Sequence, residues 1–262
     1  MKNYFKSEFK RALFGRNALI SFLITLTVLI IALLEFSFPF FNLKSSFDAI
    51  DIFIRIRSTS NAAFLVIIFP LLASIIFSDS YLLEKETGFT KFIYSRLSIK
   101  KYACIKVIVN AIVSALVGIT VSFIILMLLI YKYGIRVTNQ VLVGGPFSYL
   151  LDSNTGRVEY AIILVLITGV CYMTIATLAL GISAWIKNRY LALIIPFFYY
   201  ILCGTLLEIL GVNRVFNFNF AQIYDLNIIV NTPHVFIYPI LLLAVGVILF
   251  YTGVILKNEK DL

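Results

Sequence analysis

The chain has 262 residues, of which 61% are hydrophobic and only 13% are charged, and its mean hydropathy is +0.99. Soluble domains carry about 25% charged residues, so this composition excludes a soluble globular domain and predicts a membrane protein. The formal net charge of +9 would indicate nucleic-acid binding in a soluble chain. Here the Lys and Arg residues cluster at the ends of apolar blocks, so we predict no nucleic-acid partner.

Six apolar stretches are long enough to cross a bilayer, which takes roughly 20 helical residues for a hydrocarbon core about 30 Å thick. They are residues 17–34, 58–78, 107–131, 160–186, 190–212 and 235–256. The fourth and fifth are separated only by residues 187–189, which predicts a tight helical hairpin. We therefore predict an all-α polytopic membrane protein with one domain over residues 1–262.

The Lys and Arg residues predict the orientation, because positive residues are retained on the cytoplasmic side. Fifteen of the 22 lie in residues 1–16, 85–106, 187–189 and 257–260. Both termini are therefore predicted in the cytoplasm, with the chain in contact with the lipids of the cytoplasmic membrane. The outer connections are then residues 35–57, 132–159 and 213–234.

Motifs for catalysis are not found in the sequence. It has no phosphate-binding Gly-rich loop, no paired-histidine zinc motif and no nucleophile elbow, so we predict no enzyme activity, no metal and no cofactor bound by this chain. His234 is predicted to be an interfacial anchor or to make a hydrogen bond, rather than to be a ligand or a proton relay. Glu35, Asp79 and Glu208 lie at the ends of spans, and we predict no ionisable residue at mid-depth, where ion-coupled transporters place theirs.

The N-terminal segment has the pattern of an amphipathic helix. Its apolar face comprises Met1, Phe5, Phe9, Ala12 and Leu13, and Lys2, Lys6 and Lys10 flank or oppose that face. This pattern is typical of a helix in the membrane interface, ending near Gly15. The alternative is a basic N-terminus that only sets the topology, and Phe14 lies on the wrong face for the interfacial helix.

The loop between the second and third spans, residues 81–102, is too charged to cross the membrane. It carries a helical stripe of Phe89, Phe92, Ile93 and Leu97, and Ser98 is a plausible N-cap of the next helix. An apolar stripe on such a helix needs a partner surface. The lipid interface, the ends of the bundle and another protein fit the pattern equally well.

The same loop resembles that of the permease subunits of type-2 ABC exporters. Those permeases have an interfacial helix before six spans, and their second loop has a Glu-x-Glu segment, a Gly, an amphipathic coupling helix and then basic residues. This chain has, in that order, Glu84-Lys85-Glu86, Gly88, the stripe, Arg96, Lys100-Lys101-Tyr102 and Lys106. The motif covers about 25 residues, and the topology covers the whole chain. The proline that usually follows is missing from residues 94–98.

The resemblance implies a single ABC transporter transmembrane domain that pairs with a second permease, identical or related, and with two copies of a cytoplasmic ABC ATPase. ATP and magnesium would bind to the ATPase. It implies that an interfacial helix (Phe5, Phe9, Leu13) and a coupling segment (Glu84, Glu86, Gly88, Phe89, Phe92, Ile93, Arg96, Leu97) transmit the movement of the ATPase. The substrate expected is hydrophobic or amphipathic: a peptide, an antibiotic or a lipid-like compound. Members of the family often fold part of the connection before the last span into re-entrant helices at the outer face. In this chain the corresponding segment is residues 213–233.

Small and polar residues form stripes on two of the spans. The third span has Asn110, Ser114, Gly118 and Ser122 at every fourth position, and the fourth span has Thr174, Thr177 and Gly181. Such stripes serve helix packing or line a substrate path, and the sequence leaves both open. Pro70 and Pro196 are predicted to bend their helices.

Two other functions compete with the exporter permease. An ATP-independent secondary transporter or channel would show charges at mid-depth or broken helices in two repeats, and neither is predicted. A non-transporting membrane protein, such as an immunity protein, would have no use for the stripe in residues 81–102.

Overall fold

The computed structural model describes residues 2–37, 47–57, 63–137, 145–212, 216–226 and 230–260. Within these ranges the chain is helical and has no strand. Six helices are long and apolar enough to cross a membrane: Arg16–Glu35, Leu65–Glu86, Ile99–Tyr133, Asn154–Ser183, Arg189–Leu206 and Thr232–Leu256. The all-α class and the number of spans are confirmed, and the chain is a multi-pass membrane protein.

The helices are numbered in chain order. They are α1 Lys2–Leu13, α2 Arg16–Ser37, α3 Ala49–Arg57, α4 Ala63–Ile75, α5 Ser80–Glu86, α6 Phe89–Tyr94, α7 Ile99–Tyr133, α8 Asn154–Ser183, α9 Arg189–Ile201, α10 Leu207–Ile209, α11 Phe220–Tyr224 and α12 Thr232–Lys260. A 3-10 turn, Ser148–Asp152, precedes α8, and a π-helical turn, Leu202–Leu206, follows α9. We call the end of the bundle that holds α1, α5 and α6 the α1 end, and the opposite end the far end.

Helix α8 lies at the centre of the bundle and packs against α7, α12, α4 and α9. Its backbone comes very close to α12, because a Cβ atom on Gly181 would lie 2.5 Å from the carbonyl oxygen of Gly246. Small residues permit such close approach of membrane helices. Much of α2, α9 and α12 is exposed on the outside of the bundle, where lipid would surround it.

Several boundaries differ from the predicted spans because capping side chains fix them. Helix α8 begins at Asn154, six residues before the predicted start, since the Ser153 hydroxyl accepts a hydrogen bond from Gly156 N at 3.1 Å. Helix α9 begins at Arg189, where the Asn188 side chain accepts from Tyr190 N at 2.9 Å. The predicted hairpin between the fourth and fifth spans is therefore present. Helix α7 begins directly after Ser98, as predicted, although that side chain makes no capping bond.

Helix α3 corrects the prediction that residues 35–57 are an outer connection. Its nine residues are largely buried in the bundle beside α7, α2 and α8. Asp48 caps its start, because one carboxylate oxygen accepts from Ile50 N at 3.0 Å and from Asp51 N at 2.7 Å. The chain therefore enters the bundle from the far end before α4 begins.

The connection before the last span also contains buried structure. Helix α11 packs against α8, with Phe220, Ile223 and Tyr224 buried. His234 at the start of α12 lies within 2.7 Å of Asn217 O through its Nε2 atom, so it anchors the segment before α11. Residues 213–215 and 227–229 of the predicted re-entrant segment lie outside the described residues.

Candidate functional site

Five side chains from three helices form a charged cluster at the α1 end, which we call the α1-end cluster. Four of them are buried, and the Arg11 side chain is 39% exposed. Helix α1 supplies Glu8 and Arg11, α5 supplies Glu84, and α7 supplies Tyr102 and Lys106. Glu84 is 3% exposed and Lys106 is 0% exposed. The cluster thus brings residues that are far apart in the chain into direct contact inside the protein.

Lys106 is the centre of the cluster. Its Nζ atom donates to Glu8 Oε2 at 2.8 Å and to Glu84 Oε1 at 2.7 Å. Arg11 bridges the same two carboxylates, at 3.0 Å from Glu8 and 2.7 Å from Glu84. The Tyr102 hydroxyl donates to Glu84 Oε2 at 2.6 Å. Two cations therefore balance two carboxylates, as buried charges require.

The surroundings of the cluster stabilise its two cations. Burial lowers the pKa of Arg11, but the carboxylates of Glu8 and Glu84 outweigh burial and raise the pKa above its ordinary value. The Phe77 ring lies 4.7 Å from Lys106 Nζ and 5.5 Å from the Arg11 guanidinium carbon, which adds cation–π attraction. The cluster is a set of ion pairs that joins α1 to α5 and α7.

The predicted interfacial face of α1 lies partly against the bundle. Phe5, Phe9 and Leu13 are half-buried, and the rings of Phe5 and Phe9 stack with centroids 6.1 Å apart. Glu8 is more deeply buried than any of them, and the sequence reasoning missed it. Glu8 is the only acidic residue in residues 1–16, and that isolation was the available signal.

The structure divides the predicted stripe of residues 89–97 between two directions. Ile93 packs into a small core with Tyr81, Tyr102 and Phe250, and Leu97 packs against it. Phe89 and Phe92 point outward, and Phe92 is 71% exposed. Their rings lie side by side, with centroids 6.5 Å apart, and form an exposed aromatic pair.

The other residues of the predicted coupling segment also differ in where they point. Glu84 faces inward, whereas Arg96 is exposed, and Glu86 forms a half-exposed ion pair with Arg189 at 3.3 Å. Gly88 joins α5 to α6 with φ +70°, a conformation that favours glycine. Beside α6 lies a groove of about 790 Å³. Its lining includes Tyr81, Lys85, Lys91, Tyr94 and Lys100.

The polar stripes of the third and fourth spans lie inside helix contacts. Asn110, Ser114, Gly118, Ser122, Thr174 and Thr177 are all buried. A Cβ atom on Gly118 would lie 2.9 Å from the Tyr172 ring, so this glycine lets α7 and α8 approach closely. Thr174 and Thr177 donate to the carbonyl oxygens of Val170 and Met173 in their own helix, each at 2.7 Å. In this conformation the stripes are buried between the helices of the bundle.

A second buried charged cluster lies at the far end and was missed by the sequence reasoning. We call Asp48, Asp51 and Arg157 the far-end cluster. Arg157 donates from Nε to Asp48 Oδ2 at 3.0 Å, and from a terminal nitrogen to Asp48 Oδ1 at 2.8 Å and Asp51 Oδ1 at 2.5 Å. Arg157 is 2% exposed. The spacing of Asp48 and Asp51 before an apolar run resembles a capping box, and that was the overlooked signal.

Arg57, at the end of α3, corrects the prediction that no ionisable residue lies at mid-depth. It is 2% exposed, donates to Thr168 Oγ1 at 2.5 Å and to Tyr224 O at 3.0 Å, and stacks 4.5 Å over the Tyr224 ring. Thr168 is at the middle of α8. Hydropathy assigns residues 35–57 to a loop because α3 is short and carries charged residues, although it is buried in the bundle.

Comparisons with protein-family models, with curated proteins and with solved structures find no match to this chain. Within the described residues, no group of three or more His, Cys, Asp or Glu side chains is placed to hold a metal ion. The features of the structure that bear on function are the α1-end cluster, the exposed aromatic pair and the buried Arg57.

Proposed function

We propose that this chain is the permease subunit of an ATP-driven ABC exporter of the bacterial cytoplasmic membrane. The observation that carries the proposal is the α1-end cluster, together with the exposed pair of Phe89 and Phe92 on α6. The aromatic pair offers a surface to a partner, and the cluster ties the adjoining helix α5 to α1 and α7. A force applied to α6 would thus reach a helix that crosses the whole bundle.

The partner in this proposal is a cytoplasmic ABC ATPase, present in two copies, which binds ATP and magnesium. Both chain termini lie on the cytoplasmic side, and a second permease, identical or related, completes the pathway. Closure of the ATPase pushes α6, and because Glu84 is bonded to Lys106 and Tyr102, the push moves α7. The same ion pairs carry α1 with them through Glu8.

The proposed substrate is a hydrophobic or amphipathic compound, of the peptide, antibiotic or lipid-like class. The support is the apolar character of the spans and the resemblance of residues 84–106 to the coupling loops of exporters of this kind. Half-exposed apolar side chains on α2, α9 and α12 leave the bundle in wide contact with lipid, from which such compounds are drawn.

Substitution of Phe92 by Asp tests the proposal. Because Phe92 is 71% exposed, the substitution should leave folding unchanged, with an effect within about 0.5 kcal/mol. It should abolish co-purification of the partner ATPase and, with it, ATP-dependent export. Tyr190→Asp is the matched control, since Tyr190 is 74% exposed at the same end of the bundle, and it should retain the ATPase. Normal recovery of the complex with Phe92→Asp would refute the proposal.

One observation favours a second function, transport without ATP. Arg57 is buried beside the midpoint of α8, and two short helices, α3 and α11, meet there through Arg57 and Tyr224 O. Buried charges and interrupted helices at mid-depth are features of secondary transporters. Substrate uptake driven by an ion gradient into liposomes that contain only this chain would favour this function over the exporter.

A further inference from the structure

The groove beside α6 lies at the level where two spans end. Its lining includes Lys85, near the end of the span Leu65–Glu86, and Lys100, at the start of the span Ile99–Tyr133. In a membrane these helix ends lie where the hydrocarbon meets the headgroups, because each span is long enough to fill the hydrocarbon core. The groove is therefore at the depth of the lipid headgroups in the leaflet at the α1 end.

The groove has the size and the lining of a ligand pocket. Its volume is about 790 Å³, within the range of roughly 300–1,000 Å³ that is typical of small-molecule sites. Leu97 supplies apolar surface, and Tyr81 and Tyr94 supply aromatic rings. The Tyr81 ring meets the Phe250 ring edge-on, with centroids 5.4 Å apart. The Tyr94 ring meets the Tyr102 ring in the same way, also at 5.4 Å, so both rings of the lining are packed against the bundle.

The charged side chains of the groove are all positive. Lys85, Lys91 and Lys100 come from α5, α6 and α7 and are exposed, and no Asp or Glu belongs to the lining in the part of the chain that the structure describes. Like charges around one groove repel each other, and an anion between them is attracted by all three. The lining therefore favours an anionic ligand.

The start of α7 adds to the positive potential that the lysines create. Ser98 is the N-cap of α7, but its side chain makes no capping hydrogen bond, and the first turn has no acidic residue. The first N–H groups of a helix have no partner within the helix and favour a negative group nearby. Ser98, Ile99 and Lys100 all line the groove, so this helix end belongs to the same site.

We infer that the groove binds the phosphate-containing headgroup of an anionic phospholipid, such as phosphatidylglycerol, from the leaflet at the α1 end. Lysine binds phosphate as a point charge, and basic residues at the membrane surface attract anionic lipids. The apolar and tyrosine side chains of the lining suit the glycerol group and the first part of the acyl chains, which an acidic protein segment lacks. The inference does not depend on the exporter function, since headgroups are present on both faces of a membrane.

Retention of phospholipids by the full chain tests the inference. The purified chain is placed in nanodiscs of equimolar phosphatidylglycerol and phosphatidylcholine, without ATPase or nucleotide, and its retained lipids are identified by native mass spectrometry. Phosphatidylglycerol should be retained at least about fivefold more often than phosphatidylcholine. Equal retention of the two lipids would indicate another occupant, a soluble phosphate compound or an acidic segment of a partner protein, and would overturn the inference.

Lysine variants assign the preference to the groove. Lys91→Gln combined with Lys100→Gln should lower the preference for phosphatidylglycerol at least about threefold, without an effect on folding, because both side chains are exposed. Lys10→Gln combined with Lys101→Gln is the matched control. It removes the same charge from exposed positions at the same end of the bundle, outside the lining, and should keep the preference. Equal losses in the two double variants would indicate general attraction by surface charge and would overturn the inference.

Substitution of Ser98 tests the groove without the removal of a lysine. Asp is as favourable as Ser at an N-cap, so Ser98→Asp should leave α7 as stable as before. The new carboxylate would repel a phosphate in the groove, and the preference for phosphatidylglycerol should fall at least about threefold. Ser98→Asn places an uncharged side chain of the same size there and should keep the preference. A normal preference in Ser98→Asp would contradict the inference.

Two acidic residues of the chain itself are checked as alternative occupants. Glu259 and Asp261 come after Phe250, which contacts Tyr81 of the lining. Glu259→Gln combined with Asp261→Asn should leave the retention of phosphatidylglycerol unchanged. A preference that appears only in this variant would mean that the end of the chain fills the groove, and it would overturn the inference.

Hydrogen exchange of α6 gives a second measurement. A headgroup that contacts α5, α6 and α7 together should slow exchange in residues 89–94 at least about threefold in phosphatidylglycerol nanodiscs, relative to phosphatidylcholine nanodiscs. The Lys91→Gln, Lys100→Gln chain should show no such difference. Equal exchange of the native chain in the two lipids would overturn the inference. Neither measurement uses the ATPase, so the result is independent of the experiment with Phe92→Asp.

Discussion

The two charged clusters at opposite ends of the bundle differ in how their charges are balanced. The α1-end cluster has two carboxylates and two cations, all in direct contact. Among the described residues, the far-end cluster pairs two carboxylates with one cation, Arg157. Backbone N–H groups at the start of α3 also donate to Asp48, and the helix N-terminus favours negative charge. The N-terminus of α3 thus stabilises the negative charge of the far-end cluster, as the second cation does in the α1-end cluster.

This difference indicates different tasks. The far-end cluster fixes where one helix begins, since Asp48 caps α3 and Arg157 holds that cap against α8. The α1-end cluster caps nothing and joins α1, α5 and α7 only through side chains. A junction of this kind suits the transfer of movement between elements, whereas the far-end cluster suits a fixed anchor. The following experiments test this contrast, beginning with the largest expected effect.

Loss of Arg157 should have the largest effect on stability. Arg157→Met leaves Asp48 and Asp51 buried without their cation, and breaking a buried pair in this way costs about 3–5 kcal/mol. Unfolding in mixed micelles should show this loss, and hydrogen exchange should rise in residues 49–57. Lys132→Met, an exposed change at the same end of the bundle, is the control. Protection of α3 equal to that of the native chain would show that Arg157 does not hold it.

Loss of Lys106 should have a somewhat smaller effect. In Lys106→Met, Arg11 still contacts both Glu8 and Glu84, so we expect the lower part of the range for a broken buried pair, about 3 kcal/mol. Faster proteolysis of residues 2–13 should accompany the loss, because α1 is no longer tied to α7. Lys101→Met on the exposed side of α7 should show neither effect. Unchanged proteolysis of α1 in Lys106→Met would show that the cluster does not connect these helices.

The substitution Gly181→Ala tests how much the close contact between α8 and α12 contributes to stability, for comparison with the charged clusters. In Gly181→Ala the new Cβ atom would lie 2.5 Å from Gly246 O, and overpacking of this kind costs about 1–3 kcal/mol. Gly204→Ala is the control, since its Cβ atom would meet nothing closer than 3.4 Å. The free energy of unfolding of both variants checks the prediction. Equal stability of the two would contradict the close α8–α12 contact.

The ion pair of Glu86 and Arg189 should matter least for stability. Both side chains are about two-fifths exposed, at 44% and 40%, and exposed pairs contribute about 0–1 kcal/mol. Glu86→Gln should therefore lower the free energy of unfolding by less than 1 kcal/mol, and 0.5 M salt should remove the difference. A loss as large as that of Lys106→Met would mean that the surface of this loop is as important for stability as the buried cluster.

The sequence predicts the spans well because their signal is local. A run of about 20 apolar residues indicates a membrane helix whatever it packs against, and the helical pattern before Gly15 likewise predicts α1. Helix α3 has no such local signal. Asp48, directly before α3, is compensated by Arg157, which lies 109 positions further along the chain and contacts it. Only the folded structure shows which charges meet.

Part of the candidate site could likewise be predicted from local sequence spacing, and part could not. Phe89 and Phe92 lie together on one face of α6, as their spacing predicts, because the shared helix face depends only on the spacing of the residues. The inward positions of Glu84 and Ile93 depend on how α5 and α6 dock onto α7, which the sequence pattern does not contain. The spacing of the stripe therefore predicts an apolar helix face and could not reveal the buried charges beneath it.

The burial of α3 affects how the topology of this chain can be mapped. A cysteine at Phe53, which is completely buried, would be protected from membrane-impermeant thiol reagents added on either side. A cysteine at Asp152, exposed at the same end of the bundle, would react from one side. In a labelling scan, residues 49–57 would therefore resemble a seventh crossing, although the nine residues of α3 are too few to cross a bilayer.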